Sequence, residues 1–238
     1  MDPFSYHNIF ETKGVEYLII IAFLVLLVPF VIVLNRKVDL RRKLQDFKGY
    51  LSSVAMNLPQ GIFHTPGHTW AHLAKSGTAE IGVDSFIMNL TGDVRLTLLK
   101  REGEKISKGE KIALIDHLGK KLFLQAPVSG EVLHINSIME EESGKLQSDP
   151  YGEGWLLKVR PTDWKSETQS YHLAGEAVEW SKRELSRFRD FLAQKLPKYD
   201  PDSAAITLQD GGEIRENILA DMPDGLWQDF QEEFLGKA

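Results

Sequence analysis

The chain has 238 residues, a formal net charge of −6 and no cysteine. Without a thiol, the chain cannot form a disulfide framework, a thiolate zinc site or an iron–sulfur cluster. The acidic balance gives no reason to expect nucleic acid as a partner.

The first predicted element is a membrane-spanning helix over residues 17–35, which follows a short tail over residues 1–16. The segment reads YLIIIAFLVLLVPFVIVLN and contains no charged side chain. A helix of this length spans about 28 Å, close to the hydrocarbon thickness of a bilayer. Pro29 lies inside the segment, where a membrane helix tolerates proline. The sequence therefore predicts that this protein is anchored in the membrane by a single pass.

Basic residues follow the apolar segment, whereas a cleaved signal peptide carries them before its apolar part. They are Arg36, Lys37, Arg41, Arg42 and Lys43. By the positive-inside rule, the tail lies outside and the bulk of the chain faces the cytoplasm at the inner membrane.

Residues 36–59 are predicted to form an amphipathic stalk helix. Apolar residues recur there at steps of four and three: Leu40, Leu44, Phe47, Leu51 and Val54. Such a stripe covers the protein's own soluble domain or pairs with a partner helix, and the sequence leaves both open. Pro59 and Gly61 end the helical pattern.

Residues 60–164 have a sequence pattern that predicts a compact β domain. Short runs such as VRLTLL, KIALI, KLFLQA and EVLHI alternate with glycine, aspartate, serine and proline. Spacing of this kind is typical of short strands joined by tight turns.

Residues 165–238 are predicted to form a helical C-terminal extension. A helical period runs from Leu173 to Leu196, and Pro197 and Pro201 are expected to stop it. Trp227, Phe230 and Phe234 then recur at helical spacing. These aromatics are expected to pack on the preceding helix or on the β domain, the alternative being a docking patch for another protein.

Three stretches of the β domain resemble the H-protein of the glycine cleavage system. They occur in the order and at the spacing of that family and span about a hundred residues. The stretches are His68-Thr69-Trp70 with Leu90-Thr91-Gly92-Asp93-Val94, then Ala126-Pro127-Val128-Ser129-Gly130-Glu131-Val132, then Asp149-Pro150-Tyr151-Gly152-Glu153-Gly154-Trp155. The resemblance implies a mainly-β, barrel-sandwich hybrid fold of two small antiparallel sheets, here with an N-terminal transmembrane helix and C-terminal α-helices.

In the family that the chain resembles, a lysine at a hairpin tip carries lipoate, and the arm shuttles an aminomethyl group between partner enzymes. The family's local pattern is an acidic residue, two spacers and then the lysine. Asp116 matches the acidic position, and Gly119 occupies the place of the lysine. Glycine has no amine to acylate. The resemblance therefore implies an H-protein-like domain that lacks its lipoyl lysine and carries no cofactor.

Lys120 offers an alternative acceptor, because a local bulge could bring it to the tip. In that case the chain is a working lipoyl carrier modified at Lys120, or less readily at Lys121. Otherwise Asp116, His117, Gly119, Lys120 and Lys121 form a docking tip for protein partners.

Neither a metal site nor a catalytic arrangement is predicted. His64, His68 and His72 recur every fourth residue, but Pro66 and Gly67 interrupt any helix between them. No set of nucleophile, base and acid can be argued from the sequence. The chain is therefore predicted not to be an enzyme.

Two functions follow from these features: an accessory subunit that docks partners at the cytoplasmic face, or a tethered carrier. An efflux adaptor subunit also joins a membrane helix to a lipoyl-like barrel. That class splits its barrel with a coiled coil, and no heptads separate the two halves here.

Overall fold

A computed structural model describes Tyr17 and residues 20–27, 50–51, 58–199 and 214–236. The chain divides into two compact units, Met1–Gly49 and Tyr50–Ala238. In the first unit, Tyr17 and residues 20–27 are helical. No helix formed by the described residues is both long enough and apolar enough to cross a bilayer. The predicted tail and the rest of the predicted membrane segment lie outside the described residues.

The predicted stalk helix over residues 36–59 also lies mostly outside them. At Tyr50–Leu51 the structure differs from that prediction, since these residues form strand β1. This strand pairs antiparallel with Ile214–Arg215, and tertiary pairing of the backbone overrides a helical pattern at two residues.

The second unit is built from short antiparallel strands. They are β1 (Tyr50–Leu51), β2 (Phe63–His64), β3 (Thr69–Leu73), β4 (Ala79–Val83), β5 (Arg95–Leu98), β6 (Lys105–Ile106), β7 (Lys111–His117), β8 (Lys120–Gln125), β9 (Gly130–Ile135), β10 (Trp155–Pro161), β11 (His172–Leu173) and β12 (Ile214–Arg215). A seven-stranded sheet has the order β11, β2, β3, β4, β10, β9, β6, and a three-stranded sheet has the order β5, β7, β8. The predicted mainly-β fold with two antiparallel sheets is confirmed.

Apolar residues from both sheets meet in one core. Ile81 and Val159 of the larger sheet are fully buried, as are Ile115 and Leu122 of the smaller one. In the smaller sheet, the strand neighbours Leu114 and Phe123 are only half-buried, so burial alternates along those strands with the two-residue period of a β-strand.

Short helices interrupt the strands. They are α1 (Ser85–Thr91), α2 (Ile138–Glu141), α3 (Gly144–Ser148) and α4 (Trp164–Glu167). The longest of these, α1, follows Asp84, whose carboxylate accepts a hydrogen bond from the backbone N–H of Ile87 and so caps the helix. The predicted β domain over residues 60–164 did not include α1, α2 and α3, whereas α4 lies almost entirely in the predicted helical extension.

The C-terminal extension contains α5 (Gly175–Tyr199), a 3₁₀ turn (Ile218–Asp221), α6 (Asp224–Phe230) and a π-helical turn (Gln231–Leu235). Pro197 and Pro201 were predicted to stop this helix, but α5 contains Pro197 and runs on to Tyr199, and Pro201 lies outside the described residues. The Tyr199 hydroxyl donates to Asp229 at 3.1 Å, and this contact joins the last turn of α5 to α6.

The aromatics near the C-terminus pack on the preceding helix, as predicted. Phe230 contacts Phe188 and Phe191 of α5 edge-on, with ring centroids 5.7 and 6.0 Å away. Phe234 stacks on Phe230 at 4.7 Å. Edge-on and offset pairs of this kind stabilise a core beyond the area they bury.

Candidate functional site

Strands β7 and β8 form a hairpin whose turn is Leu118–Gly119. His117 lies opposite Lys120, and Asp116 lies opposite Lys121. Leu118 and Gly119 both have positive φ, at 53° and 93°. Positive φ at both central residues is the geometry of the turns that best match the twist of a hairpin. The hairpin predicted to be the docking tip is therefore present, with Gly119 in its turn.

Gly119 has open space around it. A Cβ atom built on this residue meets no heavy atom within 4 Å. Packing therefore leaves room for a longer side chain at position 119.

Two side chains of the tip are tied to the backbone. The Asp116 carboxylate accepts a hydrogen bond from the Gly119 N–H at 3.0 Å. The His117 ring donates from Nδ1 to the Asp93 carbonyl at 2.7 Å and lies parallel to the Trp227 ring, 6.0 Å away. These contacts fix the turn in one conformation.

Lys120 is the first residue of β8 and not a residue of the turn. Its Nζ donates to the carbonyl oxygens of Ala220 and Met222, each at 2.7 Å, and lies 5.8 Å from the Trp227 ring. The amine is thus held by the C-terminal extension. Lys121, the next residue, is exposed.

The extension covers one side of the hairpin, which sequence reasoning did not foresee. The Gln231 side chain accepts from the Phe123 N–H at 2.7 Å and donates to the Phe123 carbonyl at 3.3 Å. The helical spacing of Trp227, Phe230 and Phe234 was the available signal that this segment is buried. It could not show which face of the domain the segment meets.

A groove of about 350 Å³ lies between the hairpin and α6. Its lining includes Gly119, Lys121, Phe123, Trp227 and Glu232. The groove opens beside the turn, and its lining combines a basic, an acidic and two aromatic side chains.

The motif residues outside the hairpin hold the fold together. The Trp70 indole donates to the carbonyl oxygens of Val83 and Pro150, at 2.9 and 3.1 Å. The Asp149 carboxylate accepts from the N–H groups of Gly152 and Glu153. The first and third sequence stretches therefore meet in one structural unit.

His68 belongs to a buried ionic cluster. Its Nδ1 lies 2.8 Å from Asp84 Oδ2, its Nε2 lies 3.5 Å from Glu184 Oε2 of α5, and its ring stacks on Phe86 at 4.5 Å. Burial lowers the pKa of His68, but the charge and hydrogen bond of Asp84, joined by those of Glu184, raise it to about 9. The imidazolium therefore links the β domain to the extension.

Burial raises the pKa of Glu184, but the hydrogen bond and charge of His68, together with Arg187, lower it overall. All three ionic side chains are at most 9% exposed, so the cluster has a structural role and does not meet a substrate. The described residues contain no group of three histidine, aspartate or glutamate side chains placed to hold a metal ion.

Comparison with known proteins places these features in context. Residues 62–184 match the family described as "Glycine cleavage H-protein". The chain is 32% identical to the glycine cleavage system H protein of Thermus thermophilus, over 45% of this chain and 84% of that protein. It is 33% identical to the corresponding protein of Gloeobacter violaceus, over 53% of this chain and 99% of that protein. A crystal structure of an H protein from Mycobacterium marinum is 26% identical, with a TM-score of 0.46, covering 52% of this chain and 98% of that one.

Proposed function

Because residues 62–184 of 238 match the family, the chain belongs to the glycine cleavage H-proteins, and we propose that it is a membrane-tethered, arm-less member that docks other proteins. An H-protein is a lipoyl carrier and not a catalyst, so the prediction that this chain is not an enzyme is confirmed. H-proteins act together with the other glycine cleavage proteins, and protein partners therefore belong to the function of this domain.

One observation carries the proposal: the hairpin turn holds Gly119 where the family pattern places the lysine. The nearest amine, that of Lys120, supports it further. A modifying ligase needs a free amine, whereas this one is engaged by two carbonyl oxygens of the extension. Removing it from them would leave two half-buried acceptors without a donor, which costs free energy.

The intact mass of the full chain tests the proposal. Expressed in a host that lipoylates its own H-protein, the chain is expected to keep the mass of its sequence. A lipoyl adduct would add about 188 Da, because acylation turns an amine into an amide. The Thermus thermophilus H protein, expressed in the same host, is the positive control.

An adduct that maps to Lys120 by peptide sequencing would replace the proposal with the alternative function, a tethered lipoyl carrier. The Lys120→Arg variant separates the two, because arginine cannot be lipoylated but keeps a cation for the carbonyl oxygens of Ala220 and Met222. Under the proposal, this variant and the unaltered chain both show no adduct.

The proposed tether is the apolar segment over residues 17–35, with the H-protein-like domain on the cytoplasmic side of the inner membrane. The charge-free segment and the basic residues directly after it support this orientation. The membrane is then a partner through the tether, and the protein partners meet the hairpin and the C-terminal helices.

A reporter fused to the C-terminus tests the orientation. A reporter that is active only in the cytoplasm is expected to give signal, and one that is active only in the periplasm is expected to be silent. The control replaces the basic residues over positions 36–43 with glutamine, which should weaken the preference because positive charge sets it. A periplasmic signal from the unaltered chain would contradict the proposal.

A further inference from the structure

Three histidine rings surround the buried Trp180 of α5. The ring centroids of His68, His172 and His64 lie 5.1, 5.2 and 6.1 Å from that of Trp180. His64 belongs to β2 and pairs with His172 of β11, the strand that leads directly into α5. These rings therefore join α5 to the seven-stranded sheet.

His64 is buried without a hydrogen bond. It has no exposed surface, and among the residues that the structure describes neither of its ring nitrogens has a partner. The Tyr151 ring lies edge-on to it at 5.6 Å, so its surroundings are largely aromatic. Burying a neutral polar ring in this way costs free energy, and burying an unpartnered cation costs far more. The site therefore accepts a neutral imidazole and opposes an imidazolium.

The charged and titratable groups that face His64 do not reverse this preference. Burial is the main influence on the pKa of His64 and lowers it. The Asp84 carboxylate acts against burial, whereas His68 and His172 act with it. Asp84 is also engaged by His68 at 2.8 Å, and burial raises the pKa of the Tyr151 phenol, which stays neutral. The pKa of His64 therefore lies below its ordinary 6.5.

His172 has the same tendency. Burial and the charge of Arg183 lower its pKa. Glu176 and Glu184 of α5 act in the opposite direction without cancelling that effect. Around Trp180, two of the three imidazoles are thus neutral at neutral pH, and mild acid adds charge to a cluster that already holds the His68 imidazolium.

We propose that protonation of His64 in mild acid releases α5 from the seven-stranded sheet. A cation on His64 is repelled by the His68 imidazolium, and it recovers its hydration only when α5 moves away. A histidine whose pKa is lowered in the folded state favours that state fully above pH 6.5 and ceases to do so as the pH falls below 6.5.

The release also affects the segment that covers one side of the hairpin. Phe188 and Phe191 of α5 pack on Phe230 of α6. When α5 leaves the sheet, α6 loses this support. The C-terminal extension is therefore the acid-sensitive part of the second unit, whatever the hairpin binds.

Amide hydrogen exchange of the full chain in a mild detergent tests the proposal. Mass spectrometry follows the exchange between about pH 7.5 and 4.5, with labelling times scaled to the intrinsic rate at each pH. Peptides from Gly175–Tyr199 are expected to lose protection below pH 6.5, while those from β9 and β10 keep theirs. The pKa of Glu184 is lowered from 4.5, so this carboxylate stays mostly charged over the range and does not cause the change.

The His64→Leu variant removes the titrating ring and is expected to move the midpoint of α5 opening to lower pH by about one unit. Protection at neutral pH should not fall, because leucine leaves no unpaired polar group. His64→Gln cannot be charged either and should shift the midpoint in the same direction, which separates loss of charge from gain of apolar surface. The matched control is His72→Leu, which alters a histidine of β3 whose side chain is 43% exposed and should leave the midpoint unchanged.

Three results would overturn the proposal. The first is that α5 of the unaltered chain keeps its protection down to about pH 4.5. The second is that α5 opens at the same pH in the folded His64 variants as in the unaltered chain. The third is that β9 and β10 lose protection together with α5, since acid would then unfold the whole unit and not release one helix.

Discussion

Replacing Gly119 by lysine is expected to make the chain a substrate for lipoylation. The family pattern is then complete, with Asp116 three residues before the new amine. The position has room, because a Cβ atom there meets nothing within 4 Å. Its φ of 93° adds strain of about 1–2 kcal/mol, which a hairpin of two paired strands can absorb. Intact mass should change from no adduct to an adduct of about 188 Da at position 119.

The control is Leu118→Lys, which adds an amine one residue earlier in the same turn. A ligase that recognises the position of the amine should leave this variant unmodified, since neighbouring residues of a hairpin point in different directions. Circular dichroism of both variants shows that the β domain is intact. A folded Gly119→Lys variant that stays unmodified beside a modified Thermus thermophilus H protein would show that Gly119 is not what prevents lipoylation.

Replacing Asp84 by alanine is expected to destabilise the second unit strongly. The change leaves the His68 imidazolium buried with one partner fewer and removes the N-cap of α1. Breaking a buried ion pair on one side costs about 3–5 kcal/mol, and losing an N-cap about 1 kcal/mol. Urea denaturation followed by tryptophan fluorescence measures the loss.

Asp163→Ala is the matched control, because Asp163 caps α4 through the Ser166 N–H but is exposed and binds no buried cation. It should cost about 1 kcal/mol or less. Equal losses in the two variants would mean that the cap matters and the ion pair does not.

The same cluster predicts how stability depends on pH. The pKa of His68 is raised from its ordinary 6.5 to about 9, so its stabilising contribution is full below pH 6.5 and is lost as the pH rises through 9. The loss is at most about 3 kcal/mol. The pKa of Glu184 is lowered, so the contribution of this carboxylate to stability is present at neutral pH and is lost as the pH falls into the acidic range. A His68→Asn variant should lose the dependence between pH 6.5 and 9, and unchanged dependence would contradict the assignment.

Local periodicity and glycine spacing were sufficient to predict the β domain and the helical extension. They could not predict contacts between distant residues. Asp84 lies 16 residues from His68, and α5 supplies Glu184 from outside the β domain. Neither carboxylate had a sequence feature that marked it as a partner of a histidine.

The candidate site at the hairpin was also only partly predictable, because local patterns do not show contacts between distant residues. The local pattern of an acidic residue and two spacers placed Gly119 at the tip, and the turn of the hairpin is Leu118–Gly119. The partners of Lys120 are 100 and 102 residues away in sequence, so no local pattern could reveal that its amine is engaged. A bulge that would bring Lys120 into the turn is not present, since His117 pairs directly with Lys120.

The pairing of Gln231 with Phe123 has a consequence for handling the protein. Strand β8 lies at the edge of the three-stranded sheet, where free N–H and carbonyl groups can recruit a strand from another molecule. The Gln231 amide satisfies one such pair of groups, and its nitrogen also donates to the Gly236 carbonyl. Shortened versions of the chain should therefore keep residues up to Gly236. Versions that end earlier would leave backbone groups of this edge strand unpaired, and such molecules would self-associate.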